Sequence, residues 1–189
     1  PDPTGFAKTA DNEVTFTNYI TEVTGVGTAA VAIDTAGNGD YLYAGFSDIF
    51  DGLVITMDGA NVNAVVATMT VEYWNGSAWA ALTVASDGTA AAGATLAQTG
   101  TVTFKPLPAW AQRALDVLGT KHWARISVSA ALTAGTAIDT VKVVRTPGHL
   151  YTFTPDQNLA VAANTELRLH ITEVDANAAG VVAQVVGTT

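Results

Sequence analysis

Residues 71–82 read VEYWNGSAWAAL, and the reading of this stretch decides the fold. Asn75-Gly76 interrupts a strand-like run, and an Asn-Gly pair readily takes the type I′ turn whose twist matches that of two antiparallel strands. Upstream, residues 65–74 (VVATMTVEYW) place Val65, Ala67, Met69, Val71 and Tyr73 on one face, the period-two alternation of a half-buried strand. Residues 78–84 return on the far side of the break. The stretch therefore predicts a β-hairpin with a tryptophan, Trp74 or Trp79, on each side of its turn.

Working outward, the same kind of short run recurs at 14–23 (VTFTNYITEV), 28–34, 41–46 (YLYAGF), 53–57 (LVITM), 101–104, 122–129 (HWARISVS) and 138–144 (IDTVKVV). Gly, Asn, Asp and Ala-rich punctuation separates the runs, which is the pattern of a sandwich or barrel rather than of alternating βα units. In 122–129, Trp123, Arg125 and Ser127 alternate with Ala124, Ile126 and Val128. In 14–23 the two faces are mixed, which predicts a strand that changes sides or carries a bulge. AGNGD at 36–40 marks a turn, and 85–100 (ASDGTAAAGATLAQTG) reads as an exposed loop.

One helix is predicted, PAWAQRALDVL at 108–118, with Pro108 at its start, Trp110, Ala114, Leu115 and Leu118 along one side, and Gly119 as its stop. The fold class is thus all-β, an antiparallel sandwich with one short helix near 108–118. Residues 1–35 supply an N-terminal arm and the first strands, 36–146 the core module, and 147–189 further strands or an arm, with strand-like runs at 150–153, 166–174 and 180–186. No period of about 20–50 residues emerges, so a solenoid or propeller is not expected.

Composition narrows the function classes. The 189-residue chain carries 8 Lys plus Arg against 17 Asp plus Glu, a net charge of −9, and only 13% charged residues. A phosphate-backbone footprint needs clustered cations, so no nucleic-acid partner is expected. The 49% hydrophobic share disfavours disorder, and polar surface made chiefly of Thr, Ser, Asn and Gly suits burial in an assembly. With no cysteine there is neither a disulfide framework nor a thiolate site. No basic segment leads into an apolar one at the start, and no apolar run reaches the roughly 18 residues of a membrane span, so neither a membrane nor a secretory segment is expected.

Motifs that carry chemistry are few. His122, His149 and His170 lie in separate segments without metal-type spacing, so no metal site is expected. Asp34, Asn38 and Asp40 put oxygens in one loop, as do Asp48 and Asp51 in another, but the spacing and terminal Glu of a calcium loop are missing and self-bonded turns are expected instead. Asn75-Gly76-Ser77 is formally a glycosylation acceptor and equally what a turn wants. No nucleophile elbow or phosphate-cradling loop is present, so no catalytic residue, cofactor or enzyme activity is expected. The tryptophans remain. Trp74 and Trp79 are candidate surface-binding residues that could stack on sugars, and the expectation weighed against this is that they fill a core.

Taken in order, FDGLVI (50–55), VEYWNGSAWAAL (71–82), SDGT (86–89), GTVTFKPLPAW (100–110) and HWARISVS (122–129) resemble a module recurring in structural proteins of tailed bacteriophages. The resemblance spans about residues 40–145 and implies a β-sandwich of jelly-roll type in a capsid decoration, baseplate or tail protein. His122 stands where the module commonly has Tyr, and the segment 146–189 is one the module does not require. The expectation is a capsid decoration (cement) protein on the virion surface, a homo-oligomer with a trimer among the states that suit it, bound to the major capsid protein or other virion proteins. The alternative is a tail, baseplate or fibre component that binds glycan on the host surface.

Overall fold

The computed structural model describes residues 1–9, 13–25, 29–34 and 40–145. Residues 36–39 of the AGNGD turn, His149, His170 and the three predicted runs beyond 147 lie outside the described residues. Those described form an antiparallel sandwich of two sheets, the class that the alternating runs predict.

In chain order the elements are β1 (Gly5–Thr9), β2 (Thr17–Asn18), helix α1 (Ile20–Thr24), β3 (Val31–Ala32), β4 (Tyr41–Phe46), β5 (Gly52–Met57), β6 (Met69–Trp74), β7 (Trp79–Leu82), β8 (Val84–Asp87), β9 (Gly100–Phe104), β10 (Arg113–Ala114), β11 (Thr120–Val128) and β12 (Ala137–Val144). The first sheet runs β2-β1-β4-β11-β6-β7, with β10 pairing the start of β11, and the second runs β3-β12-β5-β9-β8. The chain changes sheets between β2 and β3, β3 and β4, β4 and β5, β5 and β6, β7 and β8, β9 and β10, and β11 and β12.

The rows that meet between the sheets are the alternate residues of each strand. Leu42, Ala44 and Phe46 of β4, Val71 and Tyr73 of β6, and Ala124, Ile126 and Val128 of β11 face Leu53, Ile55 and Met57 of β5, Val102 and Phe104 of β9, and Val141 and Val143 of β12. Each large aliphatic side chain fully buried in this way contributes about 1.5–3 kcal/mol. The alternation read in 122–129 holds: Ala124, Ile126 and Val128 point inward, and Trp123 and Arg125 lie on the other face.

Three local expectations need correction. Residues 14–23 are not one strand: Val14 is 78% exposed, pairing is limited to the two residues of β2, and the chain then turns into α1. The Asn18 side chain accepts the Ile20 N–H at 3.0 Å and starts that turn, and Val23 is the residue that α1 buries. The mixed faces of this run mark a chain leaving a sheet.

The helix expected over 108–118 shrinks to a single 3-10 turn, Asp116–Leu118, preceded by β10, in which Arg113 and Ala114 pair with Lys121 and Thr120. The apolar residues assigned to one helical side go to different places. Trp110 enters the sandwich core beside Phe50 and Phe104, Leu115 and Leu118 join a separate cluster outside the first sheet, and Ala114 is exposed. A helix would have kept them together.

The hairpin is present, with Trp74 and Trp79 as its last cross-strand pair, but the turn is a four-residue loop rather than type I′. Asn75 keeps a negative φ and Gly76 alone is left-handed, at +100°. Asn75 Oδ1 accepts hydrogen bonds from Ser77 N, Ser77 Oγ and Ala78 N at 3.0, 3.0 and 2.9 Å, and the Asn75 N–H donates to the Ala78 carbonyl at 3.0 Å, so side chain and backbone close the loop together. In the loop 85–100, residues to Asp87 are strand, and Asp87 then ties the rest: its Oδ1 accepts from Thr89 N and Oγ1, and its Oδ2 from Thr95 Oγ1 at 2.6 Å.

Outside the first sheet a second apolar layer forms around Trp123, which is fully buried together with Ala7, Tyr43, Leu115 and Leu118. Its ring lies flat on the backbone where Gly5 and Gly45 pair across β1 and β4. A Cβ on either glycine would stand 2.5 Å from the indole, so only glycine leaves room for it there.

Candidate functional site

The outer face of the first sheet concentrates the polar chemistry of the described residues. Strand alternation puts Tyr41 and Tyr43 of β4, Glu72 and Trp74 of β6, Trp79 of β7 and Arg125 of β11 on this one face. Arg125 stands directly between Tyr43 and Glu72 in the pairing register. β10 brings Arg113 over the same patch, and the chain ahead of β2 brings Glu13, held at a left-handed φ of 72°.

Glu13 is the hub. Its Oε1 accepts hydrogen bonds from Tyr43 Oη at 2.8 Å, Trp79 Nε1 at 2.6 Å, Arg113 at 3.4 Å and Arg125 at 3.3 Å, and its Oε2 accepts a second Arg113 N–H at 3.3 Å. Arg125 is shared with Glu72, which accepts from Nε at 2.8 Å and lies 2.7 Å from Nη2. Burial pushes the Glu13 carboxyl up, but the Tyr43 hydroxyl, the two guanidiniums and the Trp79 N–H outweigh it and hold the group below its ordinary value. Burial and the adjoining Glu13 carboxylate push the Tyr43 hydroxyl far above the usual tyrosine range.

The aromatic rings complete the cluster. The Arg113 guanidinium sits 4.3 Å from the Trp74 ring centre and 5.1 Å from that of Trp79, and Arg125 sits 4.3 Å from Tyr41 and 4.7 Å from Trp79. Each such contact is worth about 0.5–2 kcal/mol, more as water is excluded. The two tryptophans meet edge to face at 5.7 Å, and Trp79 tilts against Tyr43 at 5.8 Å.

The structure therefore brings Trp74 and Trp79 together, but not in the sandwich core that was expected to hold them. Both are half-buried on the outer layer, because a cross-strand pair must share one face and the inward position of β6 belongs to Tyr73. The core tryptophan is Trp110. As sugar platforms the pair is compromised, since a stacking ring needs an open face and a guanidinium already lies over each of these. Glu13, Tyr41, Tyr43, Arg113 and Arg125 were not singled out from the sequence. Arg125 had a signal, a cation alternating with Trp123 on one strand face; Glu13, in the unpatterned stretch DNEV, had none.

Chemically this is a set of saturated contacts, not an acid–base pair. A carboxylate that accepts five hydrogen bonds and titrates low is a weak base at neutral pH. Elsewhere, Asp34 accepts the Gly135 N–H at 3.0 Å, Asp48 pairs with Arg145 at 3.4 Å, and a His122 ring nitrogen lies 3.0 Å from the Ser47 carbonyl. Among the described residues no group of three His, Cys, Asp or Glu is placed to hold a metal ion.

The second sheet presents a different surface. Val54 and Thr56 of β5, Thr101 and Thr103 of β9, and Thr140 and Val144 of β12 alternate with the core rows and form an almost uncharged outer face. Lys142, the cation on this row among the described residues, is paired with Asp2. Comparison of the chain with protein-family models, with curated proteins and with solved structures finds no match.

Proposed function

We propose that the protein is a non-enzymatic virion structural protein, a decoration protein that stabilises a tailed-phage head through contacts between subunits. The observation that carries this reading is the use to which the resembling motifs are put. The tryptophans of YWNGSAW, GTVTFKPLPAW and HWARISVS all make contacts within the fold: Trp110 is buried in the core, Trp123 is buried on its glycine floor, and Trp74 and Trp79 are half-buried under guanidinium groups. Among the described residues, the outward row of the second sheet is rich in threonine and valine, a surface that suits a protein neighbour more than a small ligand. The mechanism is mechanical, since modest contacts repeated at many equivalent positions make a shell harder to open.

The test is to add the purified protein to tailed-phage capsids that lack it and to measure bound copies and resistance of the shell to heat. Saturable binding at hundreds of copies per shell supports the reading, and no binding rejects it. The alternative, a tail, baseplate or fibre component contacting host glycan, draws on Trp74, which stays half-exposed beside the hairpin loop. Glycan binding that is lost in a folded Trp74→Ala variant would favour that alternative.

A further inference from the structure

We infer that the outer face of the first sheet carries a carboxylate-binding site, which Glu13 occupies from within the chain and which a carboxylate on another molecule can take in its place. Four separate elements aim donors at one side chain: Tyr43 from β4, Trp79 from β7, Arg113 from β10 and Arg125 from β11. Four of the five hydrogen bonds converge on Oε1, more donors than one oxygen serves well at once, while Arg113 reaches both oxygens in the forked geometry that fits a planar carboxylate.

The charges agree. Two guanidiniums face two carboxylates, Glu13 and Glu72; without Glu13 the patch carries one uncompensated positive charge. The fully buried Tyr43 would then lose the acceptor of its hydroxyl. Leaving such donors unmatched is costly, so the site demands an anion. The backbone of Glu13 points the same way, since its φ of 72° is one a glutamate adopts when its surroundings impose it. The site is open enough for exchange: the Arg113 side chain is 26% exposed, and the adjoining Val14 faces solvent. This inference stands apart from the virion reading, and either can fail alone.

The test uses Glu13→Gly in the full chain, because glycine accepts the left-handed φ and so removes the carboxylate without leaving strain. Sodium propionate is titrated against sodium chloride at equal ionic strength, with Tm and tryptophan fluorescence as readouts. The expected result is a saturable rise in Tm of about 3 °C for the variant, while the parent protein, its site filled, responds no more to propionate than to chloride.

A blocked peptide with the sequence of residues 10–17, ADNEVTFT, forms the second arm. Saturation at far lower concentration than propionate assigns the site to acidic segments of protein chains, a second copy included; equal potency assigns it to free carboxylates. If the variant does not fold, propionate must restore folding. A folded variant that responds to propionate no more than the parent, or an unfolded one that propionate does not rescue, overturns the inference.

Discussion

Gly45→Ala tests the outer layer where its geometry is tightest. The added methyl would lie 2.5 Å from Trp123 Cζ3, 2.6 Å from Cε3 and 2.8 Å from Cη2, whereas ordinary contact begins near 3.4 Å. The indole must therefore rise by about 1 Å, and it has nowhere to go, being fully buried beneath Leu115 and Leu118 with its Nε1–H donated to the Arg113 carbonyl at 2.9 Å. Overpacking of this kind costs about 1–3 kcal/mol. Weakening the indole hydrogen bond adds about 1 kcal/mol. Replacing a strand glycine returns about 0.5–1 kcal/mol, because alanine has less freedom to lose. The net loss is about 2 kcal/mol, which for a chain of this size is a fall in Tm of about 4–8 °C. Urea unfolding followed by tryptophan fluorescence measures it, in the parent and in a Trp123→Leu background where the smaller side chain leaves space. In that background the penalty should vanish. A penalty of the same size with and without the indole would refute the reasoning, as would a Gly45→Ala protein as stable as the parent.

Four further outcomes are expected. Glu13 titrates below its ordinary value in the fold, so its contribution is complete above the unfolded-state value near 4.5 and is lost as pH falls through the lower folded one. The stability gap between the parent and Glu13→Gln, measured by urea unfolding, should be constant from about pH 6 to 8 and close under acid. Tyr43 is shifted the opposite way, so alkaline absorbance titrations of the parent and of Tyr43→Phe should differ only by a step that the parent shows when it unfolds. Trp110 Nε1 is buried and finds no acceptor among the described residues, whereas Trp123 Nε1 has one; Trp110→Phe should therefore cost less than Trp123→Phe by about 1 kcal/mol in paired thermal melts. Asn63 is buried and bonds Val65, Thr95 and Thr133 through both ends of its amide, so Asn63→Ala should cost about 2–4 kcal/mol and raise hydrogen exchange at the Val65 and Thr133 amides.

The parts of this fold that sequence discloses are those fixed by nearest neighbours along and across a strand. YLYAGF at 41–46 is a strand residue for residue, and the inward and outward rows of HWARISVS follow from period-two alternation alone. The errors sit where a side chain overrides that pattern. The Asn75-Gly76 pair predicts a backbone turn, but the Asn75 side chain also accepts from Ser77 and Ala78, which changes the turn without changing the hairpin. Residues 108–118 have helical spacing, yet Trp110 and Leu115 are claimed by different apolar clusters on opposite sides of the first sheet, and a segment pulled two ways cannot stay helical.

The candidate site was hidden for a related reason. Its members come from sequence positions as far apart as Glu13 and Arg125, and nothing local marks Glu13, whose neighbours Val14 and Thr15 are exposed. Such a site exists only after two rows of one sheet have been brought into register, because it is the Tyr43–Arg125–Glu72 row that sets one guanidinium beside one buried hydroxyl. The same register places Trp123 on Gly45, two residues along, so the floor of the apolar layer and the donors of the polar cluster are read off a single strand pair. A one-residue slip of β11 against β4 would turn Arg125 and Trp123 toward the core and destroy both at once. The glycine floor is thus more than a packing detail: only over Gly5 and Gly45 is there room for the indole, so seating Trp123 there favours the register on which the carboxylate site depends.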